Sequence, residues 1–405
     1  MKEPKLRFTE FSNSLKQRNL SDITSKIGSG KTPHGGRKIY VSSGIPLIRS
    51  QNVNNDKVNF DDVVFIDEAT DESMKNSRVM TNDVLLNITG ASIGRSAVYK
   101  NEANANVNQH VCIIRLIKEY SPNFLQLCLT SNRGQKQIDY SQAGGGREGL
   151  NFQAIGEMNF MFPSIEEQQK IGFLFTKLDV LIQSAEKELD GYRELKQGML
   201  QKMFPKKDEK VPEIRFPEFT GDWEQRKVGD ICKTYSGGTP KSGKSSYYDN
   251  GTIPFIRSGE IHNDRTELYI TEDGMNESSA KMVDVGDILY ALYGATSGEV
   301  DISKINGAIN QAILCIKPTT DFDRKFIVEI LRHNKESILR TYLQGGQGNL
   351  SAQIIQSQIF DFPCLAEQQR IGEYFSNLDN LITIQQKELD GYKELKKGLL
   401  QQMFC

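Results

Sequence analysis

EEQQKIGFLFTKLDVLIQSAEKELDGYRELKQGMLQKMF, residues 166–204, returns two hundred positions later as AEQQRIGEYFSNLDNLITIQQKELDGYKELKKGLLQQMF, residues 366–404. No gap is needed to align the two, and 25 of the 42 positions from Pro163 to Phe204 are identical in the second copy. Both copies read as long helices. Ile171, Leu178, Ala185, Tyr192 and Met199 recur at every seventh residue, with Leu174, Leu181 and Leu195 as the intermediate seam positions. The second copy sets Ile371, Leu378, Gln385, Tyr392 and Leu399 on the same seam, with Tyr374, Leu381 and Leu395 between. Pro163 and Pro363 mark the starts. Acids early (Glu166, Glu167) and lysines late (Lys196, Lys202, Lys396, Lys397) suit the helix dipole in part. Gly191 and Gly198 each weaken the helix by about 1 kcal/mol relative to Ala, so a kink near Asp190 is one outcome. Two like seams in one chain predict that the helices pack on each other, antiparallel, as a rod of roughly 60 Å. Such a rod would hold whatever precedes each helix a fixed distance apart. The plainer alternative is a pair of ordinary core helices in a larger domain.

Outward from the helices, the rest of each half also matches, more loosely. PKLRF (4–8) pairs with PEIRF (212–216), IPLIRS (45–50) with IPFIRS (253–258), and DVLL (83–86) with DILY (287–290). Asn108 and Gln109 pair with Asn310 and Gln311, and the glycines at 145–146 with those at 345–346. The offset drifts from 208 to 200, so insertions and deletions lie inside the heads. The expected division is a first head over 1–162, a helix over 163–204, a polar linker over 205–211 bounded by prolines, a second head over 212–362 and a second helix over 363–405. Each head reads as mixed α/β (α+β). Strands are expected at 41–48, 63–66, 84–88, 107–116 and 160–162, and helices at 125–138 and 324–340.

Composition narrows the class. At 405 residues the chain can bury more than one core, and 38% hydrophobic with 25% charged residues suits a soluble globular protein. No run approaches 18 apolar residues, the N-terminus lacks an apolar signal-type stretch, and six scattered cysteines without a CxxC pair suit reduced thiols in a cytoplasm. Four isolated histidines offer no metal-ligand cluster.

Net charge is −2, which by itself gives no support to a nucleic-acid partner. The first 160 residues carry 20 basic against 16 acidic side chains, and residues 211–362 carry 16 against 21. Local distribution is more informative. Between Asp22 and Asp56 there is no carboxylate but five cations, Lys26, Lys31, Arg37, Lys38 and Arg49. Between Asp230 and Asp249 the only charges are Lys233, Lys241 and Lys244, with Arg257 following. Basic loops rich in glycine and hydroxyl residues suit phosphate contact, and Arg, Lys, Asn and Gln suit base edges. The DNA-contact candidates are therefore Lys31, Thr32, Arg37, Lys38, Arg49, Ser50, Arg95 and Arg147 in the first head, and Thr239, Lys241, Lys244, Arg257, Ser258 and Gln347 in the second. The helix residues expected to hold the spacer and its partners are Ile171, Leu178, Leu181, Tyr192, Leu195, Ile371, Leu378, Leu381, Tyr392 and Leu395. Arg49→Ala and Arg257→Ala are expected to weaken binding to all sequences alike.

Enzyme signatures are missing. GSGKT (28–32) resembles the end of a P-loop, but position 25 is Ser and Pro33 stops the helix that should follow. There is no Pro-Pro for an amino-methylation motif, no nuclease constellation and no GxSxG elbow.

With these features assembled, the whole chain resembles the specificity subunits of type I restriction–modification systems. The resemblance rests on the two near-identical helices, GGTP at 237–240, IPFIRSGEI at 253–261, ITGASIG at 88–94, and the Asn-Gln pair before a strand. It implies that each head is a target recognition domain reading one half of a split, asymmetric DNA site. It implies that the helices form an antiparallel spacer and dock two methyltransferase subunits. Two motor–nuclease subunits complete the restriction complex. No catalytic residue, metal or cofactor belongs to this chain on that view; S-adenosylmethionine, ATP and Mg2+ serve the partners. The first head departs from the pattern at GSGKTPHGG (28–36), where the second has SGGTPKSG. A coiled-coil adaptor with two protein-binding heads remains the alternative, and it predicts no salt-dependent affinity for DNA.

Overall fold

The computed structural model describes residues 4–404 other than 34, 36–38, 55, 144–148, 207 and 344–348. The chain divides into two compact units, Met1–Glu186 with Glu388–Cys405, and Lys187–Lys387.

In the first unit a small outer pair, β1 (Lys16–Asn19) and β10 (Asn159–Phe162), accompanies two four-stranded sheets. One sheet is β2 (Thr24–Ser29), β9 (Val111–Leu116), β6 (Val84–Asn87) and β7 (Ser96–Val98), in that order. The other is β4 (Val64–Ile66), β3 (Ile45–Ile48), β8 (Ala105–Val107) and β5 (Arg78–Val79). Helices α1 (Pro122–Thr130), α2 (Asn132–Ala143) and the start of α3 (Ile165–Lys202) complete it. The central sheet is covered on both faces, which is why VLLN at 84–87 is wholly buried. Successive side chains alternate between two cores. Val84, Leu86, Cys112 and Ile114 join the helices, whereas Leu85, Ala97, Val111 and Ile113 meet Ile48 and Val107 of the second sheet.

The second unit repeats the plan with β11 (Glu224–Lys227), β12 (Cys232–Ser236), β13 (Ile253–Ile256), β14 (Tyr269–Ile270), β15 (Lys281–Val283), β16 (Ile288–Ala291), β17 (Val300–Ile302), β18 (Gly307–Ile309), β19 (Ile313–Pro318) and β20 (Ile359–Phe362). Its sheets run β12-β19-β16-β17 and β14-β13-β18-β15, with helices α4 (Arg324–His333), α5 (Lys335–Leu343) and the start of α6 (Leu365–Met403).

Four expected elements differ. The stretch 107–116 is two strands in different sheets, because the Asn108 side-chain oxygen accepts from the His110 N–H (3.1 Å) and turns the chain. The helix expected at 125–138 breaks at Ser131 (φ −61°, ψ 158°), whose hydroxyl accepts from the N–H of Gly134 at the start of α2. The helix expected at 324–340 breaks likewise at Asn334. The segment 41–48 becomes a strand only from Ile45, with one isolated bridge from Val41 to Phe65.

Both long helices run without a break through their glycines. Within the first unit the start of α3 and the end of α6 lie antiparallel: Glu186 meets Lys393 (2.8 Å), Asp179 meets Lys396 (2.6 Å), and Phe175 meets Phe404. Within the second, Arg193 donates to Gln386 (3.0 Å), Lys196 to Asp379 (2.5 Å), and Phe204 stacks on Phe375. The seam itself corrects the expectation. Ile171, Leu178 and Ala185 are buried as expected, but their partners lie four residues on, at Phe175, half-buried Ile182 and Leu189, not three. Leu181 (44% exposed), Leu195 (40%), Leu381 (41%) and Leu395 (49%) are therefore flank residues. Ile371 and Leu378 are buried with Phe375 and Leu389, and Tyr192 and Tyr392 are half-buried. Lys196 and Lys396 occupy seam positions and are tolerated there by their carboxylates.

The repeated EQQ and IG letters also acquire reasons. Arg7 of PKLRF grips Glu167 through two hydrogen bonds of 2.7 Å, and Arg215 of PEIRF grips Glu367 at 2.8 and 2.7 Å. The Gln168 and Gln368 amides accept from the N–H of Ser121 and Asp323, the residues ahead of α1 and α4. At Gly172 a Cβ would stand 2.9 Å from Asn123, and at Gly372 2.7 Å from the Lys325 Cβ, so glycine permits the close crossing.

Candidate nucleic-acid interface

Strand register collects four loops at one end of each head. In the first head the ends of β2 and β6 lie beside the start of β9, with Ser29 opposite Cys112 and Asn87 opposite Val111. Parallel β3 and β8 end together, Ile48 beside Val107. The loops leaving β2, β3 and β6 and the turn into β9 are stitched to one another. Gly30 N–H donates to the Asn108 carbonyl (3.2 Å), Asn108 N–H to Ile48 (3.1 Å), and the Asn87 amide to the carbonyls of Ser50 (2.8 Å) and Val53 (3.2 Å). Glycine is required at position 30, since a Cβ there would fall 1.6 Å from the Val107 carbonyl oxygen, and at Gly237 the figure is 1.8 Å from Ile309. Leu150, which follows the glycine segment, closes the cluster by donating to Ile88 (2.9 Å).

At the rim, the Thr32 hydroxyl donates to the Gln109 side-chain oxygen, Gln109 Nε2 lies 3.0 Å from His110 Nε2, and His110 Nδ1 lies 2.5 Å from the Thr89 hydroxyl. Lys31, Thr32 and Arg95 are exposed, and Ser50 is half-buried in a short 3-10 turn. Arg49 is more structural than expected: it donates to the Asp62 carbonyl (2.9 Å), and its buried Nε finds no partner among the described residues. Arg37, Lys38 and Arg147 lie outside the described residues.

The second head builds the same rim. Gly237 donates to Asn310 (3.3 Å), Leu350 to Leu292 (3.0 Å), and the Thr239 hydroxyl to Gln311 (2.7 Å). Lys241 is exposed and Ser258 half-buried. Lys244 is engaged by Tyr247 (2.8 Å) and Glu277 (3.3 Å). Arg257, expected to meet phosphate, is instead held by Glu260 (3.0 and 2.8 Å) and Glu267 (2.8 Å). Burial alone would raise the Glu260 carboxyl, but the Arg257 guanidinium and the N–H groups of Glu267 and Arg257 outweigh it and hold it at about 2. Arg257 thus braces the loop through its ion pairs, with its side chain 45% exposed. Gln347 lies outside the described residues.

Charge-based selection missed Gln109, His110, Thr89 and Gln311. The available signal was the Asn-Gln pair repeated at corresponding positions, which is neither charged nor glycine-rich. The rim offers hydroxyl, amide and ammonium groups, a set suited to hydrogen-bonding bases and neutralising phosphate. Among the described residues no cluster of His, Cys, Asp or Glu could hold a metal, and no helix is long and apolar enough to cross a membrane.

Comparison with known proteins bears on this geometry. The family model for the type I restriction modification DNA specificity domain matches twice, at residues 14–190 and 220–392. The putative type I restriction enzyme MjaX specificity subunit of Methanocaldococcus jannaschii is 25% identical over 98% of this chain and 94% of its own length. The EcoR124I/EcoR124II specificity subunit of Escherichia coli is 29% identical over 43% of this chain and 48% of its own. Among solved structures, the S subunit of the type I restriction–modification system of M. genitalium superposes with a TM-score of 0.68 over 100% of this chain and 99% of that one, at 14% identity. A chain from a solved type I restriction–modification assembly gives 0.55 over 96% and 97%, at 17% identity.

Proposed function

The chain belongs to the type I restriction modification DNA specificity family, and on that premise we propose that it is the sequence-reading subunit of a methyltransferase and restriction complex. Each head binds one half of a bipartite, asymmetric DNA site through its loop cluster. The helices fix the spacing and dock two methyltransferase subunits, and two motor–nuclease subunits join for restriction. The chain itself performs no catalysis. S-adenosylmethionine, ATP and Mg2+ belong to those partners, which work with it on double-stranded DNA in the cytoplasm.

The observation that carries this reading is the contrast between frame and rim. The two heads share the Thr–Gln pair, the glycine step, the Ile-Arg-Ser turn and the loop register, yet differ beside them, with Lys31, Asn87, Thr89 and His110 in the first head where the second has Gly238, Ala291, Tyr293 and Ala312. The helices, by comparison, repeat 25 residues of 42. Shared framework with divergent rims suits two readers of different sequences on a common spacer. The docking role is supported by the helix surface. Gly191, Gly198, Gly391 and Gly398 have nothing within 4 Å of a Cβ, so this chain's own packing does not need them. Phe173 (63% exposed) and Val180 (60%) add apolar area on the helix of Leu181 and Leu195, and Ile384 (61%) on the helix of Leu381 and Leu395.

Lys31, Arg95 and Lys241 are exposed phosphate-contact candidates. The test is equilibrium binding of a duplex library across a salt series. Binding that weakens steeply with salt, with a slope reduced by about one in Lys31→Ala, supports the reading. Salt-independent or absent binding in the assembled complex favours a protein-binding adaptor.

A further inference from the structure

The rim polar chain differs between the heads in a way that bears on base choice. An amide nitrogen can only donate, so the 3.0 Å contact from Gln109 Nε2 makes His110 Nε2 an acceptor. The neutral ring then carries its proton on Nδ1 and donates to the Thr89 hydroxyl. With Thr32 donating to the Gln109 oxygen, the chain runs in one direction: Thr32 to Gln109 to His110 to Thr89. One of the two Gln109 amide hydrogens is therefore spent inside the protein, and the hydroxyl hydrogen of Thr89 is what the chain leaves at its end.

In the second head the chain is cut after its first link. Thr239 donates to the Gln311 oxygen at 2.7 Å, but Ala312 stands where His110 does and Tyr293 where Thr89 does. Gln311 is exposed, and its Nε2 meets no acceptor among the described residues. Thr239 fixes which end of the amide faces inward, so the amide is held as a donor without being consumed.

We infer that Gln311 is a base-reading residue of the second head, donating to an acceptor on a base edge, and that His110 ties one of the two hydrogens of the equivalent Gln109 amide into the protein and extends the first head's contact to the Thr89 hydroxyl. An oriented primary amide matches purine N7, guanine O6 or thymine O4 in the major groove. Thr239 acts through Gln311 as a positioning residue. Because the Thr–Gln pair is common to both heads, the residue beside it decides what each head reads. This inference rests on the DNA-reading role proposed above.

The experiment selects bound duplexes from a library with a randomised core, using the full chain assembled with its methyltransferase subunits, and compares the enriched motifs. Gln311→Leu is expected to lose about tenfold discrimination at a single position of one half-site. Gln311→Glu, nearly isosteric and still able to accept from Thr239, is expected to move the preference at that position toward the cytosine amino donor. His110→Ala is expected to change one position of the other half-site and leave the first intact. Unaltered motifs in all three variants, or a uniform loss of affinity for every sequence, would overturn the inference and make these residues structural or phosphate contacts. A wild-type complex that enriches no motif would sink the DNA-reading role itself, which separates the two failures.

Discussion

Replacing Lys196 by Met probes the seam most sharply. Lys196 is 15% exposed and lies 2.5 Å from Asp379 and 3.7 Å from Glu329, whose side chain is 4% exposed. Arg332 also serves both acids, at 2.8 and 2.6 Å, so the substitution removes one of two cations from a half-buried cluster. Removing one partner of a fully buried pair costs about 3–5 kcal/mol; partial exposure of Asp379 and the remaining guanidinium bring the expected loss to about 2 kcal/mol. For a unit of this size that corresponds to a fall in Tm of roughly 4–8 °C. Burial already lifts the Glu329 carboxyl, with Arg332 and Lys196 opposing it, and loss of Lys196 lifts it further. A carboxyl raised in the folded state penalises folding when ionised, so the deficit should be large at neutral pH and shrink as the pH falls and Glu329 protonates. Trp223, the one tryptophan, is buried against Phe204 in the same unit and reports the unfolding by fluorescence. Urea titrations at neutral and mildly acid pH give both numbers. Adding Glu329→Gln should recover part of the loss. A loss under about 0.5 kcal/mol, or one that is the same at both pH values, would refute the reasoning.

Three further outcomes follow from the same geometry. Gly372→Ala should destabilise by about 1–3 kcal/mol in thermal unfolding, because its Cβ would crowd the start of α4, where a neutral result would show that the crossing can relax. Gly191→Ala with Gly391→Ala should instead stabilise the chain by up to about 1 kcal/mol each, and should weaken capture of the methyltransferase subunits in size-exclusion assays if those glycines serve a partner's approach. Acidification should loosen the loop around Arg257: a carboxyl depressed in the folded state stabilises above its unfolded value and loses that stabilisation as pH falls from 4.5 toward about 2, visible as faster amide exchange at 257–267.

The repeat made the two-fold plan and the antiparallel helix pairs legible, because like seams in one chain have each other as partners. Its phase was misread for a physical reason. From Ile171 both the i+3 branch (Leu174, Leu181, Leu195) and the i+4 branch (Phe175, Ile182, Leu189) are apolar, and a lysine at 196 argues against the branch that is in fact inside. Only the carboxylates arriving from α6 and the head make Lys196 acceptable there, and no local pattern announces them. The loop cluster was legible as composition but not as roles. Arg49 and Arg257 read as free cations in the sequence, but the loop that follows each strand folds back and supplies Asp62 to the first and Glu260 and Glu267 to the second. Gln109 and Gln311 look unremarkable until Thr32 and Thr239 arrive from more than 70 positions away. The breaks at Ser131 and Asn334 were hidden because each interrupts an otherwise helical apolar rhythm with a single polar residue, Ser131 capping the helix that follows and Asn334 closing the one before it.

The central claim is that this chain chooses where its partners methylate. N6-methyladenine mapped across the genome of cells expressing methyltransferase subunits of the same system, with and without this chain, tests it directly. The account predicts a split motif, one adenine methylated on each strand, present only when this chain is expressed. An identical methylation map in both strains, with all subunits expressed and soluble, would contradict it.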